Sequence, residues 1–144
     1  MNLVNNFMDE DLYQIGVKVL VFVEENVLLL LSNKEVTGRL YWDIPGGRIK
    51  RGDSVYDTLK RELYEETGLC VSIEELDFIG CQLSQIRIPT AFGDTGLIFL
   101  VYRCSLSTIA QISLSNEHKE YKWVSKPDAA EIMNPRIPAE FILA

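Results

Sequence analysis

Apolar residues cluster along the first third of the chain in a pattern that predicts two adjacent strands. Residues 15–23 (IGVKVLVFV) are rich in Val and Ile, and Val27–Leu31 is a short continuous apolar run. Both patterns are typical of buried strands. The residues between them, Glu24-Glu25-Asn26, predict a tight turn. The following stretch, residues 34–41 (KEVTGRLY), predicts a loop.

The next apolar pattern has a helical period and spans Ser54–Thr67. Ser54 suits an N-cap, with Asp57 three residues later in a capping-box arrangement, and Gly68 stands where a left-handed C-cap belongs. On an ideal helix the apolar positions fall on one side, which defines a buried face. Those positions are Val55, Tyr56, Leu59 and Leu63.

The second half of the chain predicts strands followed by short helices. One or two strands fall within residues 70–88, a strong strand covers 94–106 and a short one covers 120–125. Residues 126–133 and 138–144 predict helices. Strands, helix, strands and helix in this order predict an α/β fold with helices packed on a mixed sheet. A length of 144 residues predicts a single domain, 1–144.

Composition and charge narrow the classes of partner. The formal net charge is -7, whereas proteins that bind polymeric nucleic acid usually present a basic face, so we expect no such partner. The longest apolar run, Val27–Leu31, is far too short to cross a membrane. The first ten residues, MNLVNNFMDE, lack the basic start and long apolar run of a secretory signal.

The cysteines add an expectation about location. Cys70, Cys81 and Cys104 are odd in number and contain no CxxC pair, so neither a disulfide framework nor a zinc knuckle is expected. We predict reduced, mostly buried thiols in a cytoplasmic protein.

Three glutamates of the predicted helix share one arc. If the position of Glu62 around the helix axis is set to 0°, Glu66 lies at about 40° and Glu65 at about 300°. A glutamate-rich helix usually presents a plain solvated face, but such a face opposes the apolar one. Here Glu62 and Glu66 flank the buried face instead, where unpaired carboxylates are costly. A hard divalent ion, Mg²⁺ or Mn²⁺, would compensate them. The chain has one histidine, His118, which excludes a multi-histidine zinc site.

The loop before this helix, WDIPGGRIKRGDS, has the glycine spacing of a phosphate-binding P-loop. Gly47, Gly52 and Ser54 fit the spacing, but Asp53 stands where the phosphate-contacting lysine belongs. Electrostatics therefore argues against a P-loop.

Loop and helix together resemble the Nudix box, Gly-x5-Glu-x7-Arg-Glu-U-x-Glu-Glu-x-Gly-U, in which U is a bulky apolar residue. The match runs from Gly47 to Leu69 and agrees at eight of nine specified positions. The departure is Asp53, which replaces the first Glu. Because Asp is one methylene shorter, we expect a strained or water-bridged contact with Arg61, or a helix-capping role.

The resemblance implies a Nudix-like α/β/α sandwich around a mixed sheet. It also implies a hydrolase that uses Mg²⁺ or Mn²⁺ to attack a diphosphate bridge. Glu66 is the first choice as a metal ligand and Glu65 the second, while Glu62 is either a ligand or the general base. The implied metal ligands are Glu62, Glu65, Glu66, the carbonyl of Gly47 (or Gly46) and Glu117, and the implied catalytic residues are Glu62, Glu65, Arg61 and Glu117.

Glu117 enters through a second resemblance. The Glu-His-x-x-Tyr-x-Trp pattern that begins at Glu117 is similar to a loop of several Nudix hydrolases whose glutamate reaches over the metals. Glu120 is the alternative. His118 either orients a ligand or is a surface histidine.

The substrate is expected to be a small nucleotide-type molecule. Arg48, Arg51 and Arg39 are candidate phosphate contacts, and Trp42 either stacks on a base or simply packs. The 84–94 region and the stretch before Trp42 are candidate selectivity loops. Nucleoside triphosphates, oxidised nucleotides, nucleotide sugars and ADP-ribose all stay open as substrates. A non-catalytic binding or regulatory Nudix module and an isoprenoid diphosphate isomerase are alternatives, and a homodimer is an open expectation.

Overall fold

A computed structural model describes residues 10–144 and shows a mixed sheet between helices. The strands are β1 Tyr13–Val23, β2 Asn26–Ser32, β3 Trp42–Asp43, β4 Gly46–Arg48, β5 Asp77–Leu83, β6 Ile88–Thr90, β7 Gly93–Leu106 and β8 His118–Ser125. The helices are α1 Lys34–Thr37, α2 Val55–Thr67, α3 Lys126–Met133 and α4 Ala139–Leu143, with a 3₁₀ turn at Ile73–Glu75.

The long strands β1 and β7 form the centre of the sheet and run parallel, in register from Tyr13 opposite Gly96 to Val23 opposite Leu106. The other pairings are antiparallel: β2 with β1, β3 and β8, β4 with β1, and β5 and β6 with β7. The sheet is therefore mixed, and β4 places the glycine pair of the sequence motif directly beside β1.

Residues on the central strands alternate between two hydrophobic cores, one on each face of the sheet. On one face Val17, Val19 and Val21 pack with Leu59 and Leu63 of α2. The opposite face carries Leu20, Phe22, Val27 and Leu29, which pack with Ala129, Met133 and Ile142 of α3 and α4. This arrangement is an α/β/α sandwich, which confirms the predicted fold class.

Local signals in the sequence determine the limits of α2. The Ser54 side chain accepts a hydrogen bond from the Asp57 amide, and Gly68 ends the helix in the left-handed conformation with a φ of 79°. Glycine adopts this conformation without steric strain because it has no Cβ atom. Its amide can then donate a hydrogen bond to a carbonyl of the last helical turn. Tyr56, expected on the buried side, is exposed and meets the ring of Tyr102 edge-on.

Several expectations need correction. The loop predicted for residues 34–41 contains α1, a single turn capped by the Asn33 side chain and ended by Gly38. Cys104 is buried, but Cys70 and Cys81 are exposed, so the thiols are not mostly buried. The prediction about a secretory signal falls largely on residues 1–9, outside the described residues. None of the helices in 10–144 is long and apolar enough to span a membrane.

Candidate active site

Helix α2 carries the acidic residues of the motif to the edge of strand β4. Leu59 and Leu63 are fully buried against the sheet, and this packing fixes the rotation of the helix. Glu66 lies one helical turn after Glu62 on the same flank, facing the Gly46–Gly47 backbone. The buried face therefore positions the carboxylates, as the helical arc of the sequence predicts.

Gly46 and Gly47 must both be glycine, because a different group lies too close to each of them for a Cβ atom to fit. A Cβ on Gly47 would lie 2.6 Å from Cδ of Glu62, and a Cβ on Gly46 would lie 2.0 Å from the carbonyl oxygen of Val17. Gly46 thus lets β4 pair tightly with β1, whereas Gly47 leaves room for the Glu62 carboxylate beside the backbone. Gly47, the first glycine of the P-loop-like spacing, belongs to a strand and pairs with Val17, so this segment is not the free glycine loop of a P-loop.

Glu66 is the most deeply buried charge of the site, at 5% exposure. Its pKa is raised to about 8, mainly by burial and also by the charges of Glu62 and Glu117, while Lys18 and a backbone contact oppose the rise. That contact is a long hydrogen bond of 3.4 Å donated by the Gly46 amide to Oε2. The carboxylate is therefore poorly compensated in the absence of a cation.

Glu62 shares this environment. Burial raises its pKa, the charges of Glu65 and Glu117 raise it as well, and Arg61 and a hydrogen bond with Glu66 lower it. Glu62, Glu65, Glu66 and Glu117 thus come close enough to influence one another, and we call them the carboxylate cluster. The sequence placed Glu117 50 residues away from the helix motif, and the fold brings it to the same site.

Arg61 links the cluster to the loop before the helix. Its Nη1 donates to Asp53 Oδ2 at 2.9 Å, and its Nη2 lies 3.7 Å from Glu62 Oε1. The hydrogen bond to Asp53 raises the pKa of the guanidinium. The expected water bridge is therefore wrong, because the shorter Asp side chain reaches Arg61 directly.

A second layer of polar groups, missed by the sequence analysis, lies beside the cluster. Lys18 Nζ donates to Asp43 Oδ2 at 2.8 Å, and both side chains are largely buried. Burial lowers the pKa of His118, against the charges of Asp43 and Glu117, and its Nδ1 is buried without a hydrogen-bond partner. The only clue to Lys18 in the sequence is that a charged residue interrupts the apolar run of β1.

The predicted substrate-contacting residues lie in different places. Arg39 lines a cavity of about 550 Å³ that also includes Lys18, Asp43, Phe99 and Arg136. Arg48 is exposed and donates to the Gln14 side chain, and Arg51 is exposed. Trp42 packs against the core under α3 and α4, with Lys122 Nζ 4.3 Å from its ring. Phosphate contacts by Arg48 and Arg51 stay predictions.

Both predicted selectivity loops contribute to the wall of this cavity. Ser84, Gln85 and Ile86 come from the segment between β5 and β6, and Thr37, Arg39 and Tyr41 come from the stretch before Trp42. Arg136, from the α3–α4 connection, completes the wall and had no sequence signal. Lys18 and Asp43 join the cavity to the carboxylate cluster.

The donor set suits a hard divalent ion. Carboxylates and backbone carbonyls are the oxygen ligands that Mg²⁺ and Mn²⁺ prefer, and the cleared space at Gly47 keeps Glu62 against the backbone. Within the described chain, no three Asp, Glu, His or Cys side chains are already grouped around one metal position. Fewer than three side-chain ligands are compatible with Mg²⁺, which usually keeps several waters and binds one or two carboxylates.

Fold and site together define a class of protein. It is an α/β/α sandwich in which glutamates on the flank of a buried helix face lie against a glycine backbone, next to a polar cavity. A family model described as the NUDIX domain matches residues 12–143. The chain therefore belongs to the Nudix family, which confirms the resemblance of its sequence motif.

Three similar proteins illustrate the relationship. The structure of a MutT protein from Methanosarcina mazei Go1 is 27% identical with a TM-score of 0.72, and the match covers 93% of each chain. A putative 8-oxo-dGTP diphosphatase of Bacillus subtilis is 40% identical over 40% of this chain and 36% of its own length. An octanoyltransferase of Myxococcus xanthus is 33% identical over 75% of this chain, which spans 29% of that protein. The chain thus spans about a third of these two curated relatives.

Proposed function

We propose that this chain is a divalent-metal-dependent pyrophosphohydrolase. It cleaves the diphosphate linkage of a nucleoside triphosphate or of a nucleoside diphosphate linked to another group. The observation that carries the proposal is the packing of Glu62 and Glu66 against the Gly46–Gly47 backbone, on the buried flank of α2. Family membership supports it, because Nudix hydrolases act on phosphoric anhydrides.

Each group of site residues has a role that fits metal-dependent hydrolysis. Glu62, Glu65, Glu66 and Glu117, with the carbonyl of Gly47, would hold Mg²⁺ or Mn²⁺. Once bound, such an ion would neutralise the diphosphate and acidify the attacking water. Arg61, fixed by Asp53, holds Glu62 in place, and Glu62 serves as a ligand or as the general base. The packing of α2 buries Glu66 and partly buries Glu62, which strengthens their electrostatic interactions.

The cavity beside Lys18 and Asp43 would take the non-hydrolysed part of the substrate. Its volume of about 550 Å³ lies in the usual range for small-molecule sites. The name of the Bacillus subtilis relative, a putative 8-oxo-dGTP diphosphatase, supports a nucleotide without choosing among nucleotides. A cytoplasmic location and a homodimer stay predictions.

The test is a hydrolysis panel with product identification. Nucleoside triphosphates, 8-oxo-dGTP, nucleotide sugars and ADP-ribose are incubated with Mg²⁺, with Mn²⁺ and with chelator, and products are assigned by mass spectrometry in ¹⁸O-labelled water. We expect metal-dependent incorporation of ¹⁸O into a phosphate product. Glu66→Gln should lower kcat/KM by about 100-fold or more, since a metal contributes several kcal/mol to such transition states.

The matched control is Glu131→Gln on α3, an exposed glutamate far along the chain from the motif. Its activity should equal that of the wild type. Retained activity in a folded Glu66→Gln variant would remove the metal assignment. If no compound is hydrolysed but nucleotides still bind, the alternative of a non-catalytic binding or regulatory module takes over. Isopentenyl diphosphate is incubated separately, and its isomerisation would favour the isomerase.

A further inference from the structure

Two arginines meet at one tyrosine in the cavity wall. Cζ of Arg39 lies 5.7 Å from the centroid of the Tyr41 ring, and Cζ of Arg136 lies 5.4 Å from the same centroid. We call Arg39 and Arg136 the distal arginine pair. Both guanidiniums gain cation–π attraction from the ring, but two like charges held this close also repel each other.

The part of the chain that the structure describes supplies no carboxylate counterion for this pair. Across residues 10–144, neither guanidinium forms an ion pair with a carboxylate, although the chain has 21 acidic residues and a net charge of -7. Asp43, the acid of the cavity wall, is already paired with Lys18. A cavity wall with two uncompensated cations in an acidic protein is arranged to receive an anion.

The backbone fixes the distal arginine pair in place. Nη2 of Arg136 donates to the carbonyl of Trp42, which orients the guanidinium toward β3. The carbonyl of Arg39 accepts hydrogen bonds from the side chains of Ser32 and Thr37, which hold that loop against β2. The guanidinium of Arg136 and the backbone of Arg39 are therefore positioned before any ligand arrives, and this lowers the cost of binding.

The pair is separate from the carboxylate cluster. The cavity wall that contains Arg39 and Arg136 includes none of the four glutamates of the cluster. Lys18, the cation that lowers the pKa of Glu66, lines the same cavity wall as the pair, together with its partner Asp43. A ligand that reaches both regions must carry anionic groups at two places.

We propose that Arg39 and Arg136 form an anion subsite for a phosphate monoester on the part of the substrate that is not hydrolysed. This proposal rests on the proposed function and narrows its substrate class to diphosphate compounds with a second, remote phosphate, such as one on a ribose hydroxyl. A phosphate monoester carries roughly two negative charges at neutral pH and three acceptor oxygens, which match two guanidinium forks better than a single carboxylate does.

The first test measures binding, so that it does not depend on turnover. Isothermal titration calorimetry in the presence of chelator compares AMP with adenosine 2′,5′-bisphosphate and adenosine 3′,5′-bisphosphate. We expect at least one bisphosphate to bind about 10- to 100-fold more tightly than AMP, the gain that charge-assisted hydrogen bonds usually provide. Arg39→Met and Arg136→Met should each reduce this advantage, and Arg136→Lys should keep part of it.

A matched control and a folding check accompany these variants. Arg103→Met removes a guanidinium that also lies over an aromatic ring, that of Phe22, but outside the cavity, so the advantage should persist. Arg136→Met also loses the bond to Trp42, whereas Arg39→Met leaves it intact, and thermal unfolding separates misfolding from lost affinity. Equal binding of AMP and both bisphosphates, or an advantage that survives both Met substitutions, overturns the proposal.

A kinetic test separates this proposal from the proposed function. Two substrate pairs differ only by a ribose phosphate: NADH with NADPH, and dephospho-coenzyme A with coenzyme A. A higher kcat/KM for the phosphorylated member of either pair, lost in Arg39→Met, supports the subsite. Hydrolysis of both members at equal rates overturns the subsite and keeps the proposed function. If none of the four compounds is hydrolysed, the hydrolysis panel described above decides the proposed function, and the calorimetry decides the subsite.

Discussion

Asp53 and Arg61 form a direct ion pair, with 2.9 Å between Oδ2 of the carboxylate and Nη1 of the guanidinium. The pair joins the loop before α2 to the helix itself. The other end of the guanidinium, Nη2, lies 3.7 Å from Glu62 Oε1 and is buried without a hydrogen-bond partner. Asp53 therefore holds Arg61 in a position from which it restrains Glu62, although Asp53 is outside the carboxylate cluster.

Removing the charge of Asp53 should affect activity more than stability. Both partners are partly exposed, so Asp53→Asn should cost no more than about 1 kcal/mol, or about 2–4 °C in Tm. Because Arg61 then loses its anchor, we expect kcat/KM to fall about 10-fold or more, the usual effect of losing a residue that orients a ligand. Asp53→Glu is the control and should restore most activity. Unchanged kinetics in Asp53→Asn would contradict this role.

The two adjacent glycines should respond to alanine in opposite ways. In Gly47→Ala the new Cβ meets the flexible end of Glu62, so the fold should survive within about 1 kcal/mol while the displaced carboxylate lowers metal affinity and activity. In Gly46→Ala the Cβ meets the rigid carbonyl of Val17, so we expect a loss of about 2–3 kcal/mol or more. Denaturant unfolding and Mn²⁺ titration measure both effects. Equal destabilisation by the two substitutions would contradict the assigned roles.

Local signals made the motif helix predictable. Helix α2 and its buried face were predictable from the Ser54 cap, the Gly68 terminus and the 3.6-residue period. Each of these signals depends only on residues a few positions apart. The single turn α1 was predicted as a loop because four residues are too few to show a period. The position of Glu117 beside Glu62 followed only from the family resemblance.

The cavity depended on contacts that no local pattern encodes. Lys18 and Asp43 are 25 residues apart, and Arg136 reaches Trp42 across 94 residues. Lys18 and Asp43 meet because β2 pairs with both β1 and β3, and Arg136 reaches Trp42 because Trp42 packs in the same core as α3 and α4. A basic residue within an apolar strand, such as Lys18, is nevertheless a usable signal, because burial of an unpaired ammonium is costly.

Substitution of the two acids near the start of β8 distinguishes their roles. Glu117 acts on the pKa of both Glu62 and Glu66, whereas Glu120 lies on β8 opposite Leu31. We expect Glu117→Gln to weaken Mn²⁺ binding and to lower kcat about 10-fold or more. Glu120→Gln is the matched control, because it removes the same charge three residues away. If Glu120→Gln is the more harmful change, the metal role belongs to Glu120.

Stability of the metal-free protein should decrease as the pH rises from about 4.5 to about 8, because of Glu66. Burial raises its folded-state pKa from 4.5 to about 8, so over this range the folded state binds more protons than the unfolded state. Stability that is fully present below pH 4.5 is then lost through the folded pKa, by at most about 5 kcal/mol. Denaturant unfolding with chelator at pH 5, 6.5 and 8, in the wild type and in Glu66→Gln, isolates this contribution. The variant should lose less stability over the range, and added Mg²⁺ or Mn²⁺ should restore stability to the wild type at pH 8. Parallel curves for the two proteins would mean that Glu66 is solvated as well in the fold as outside it.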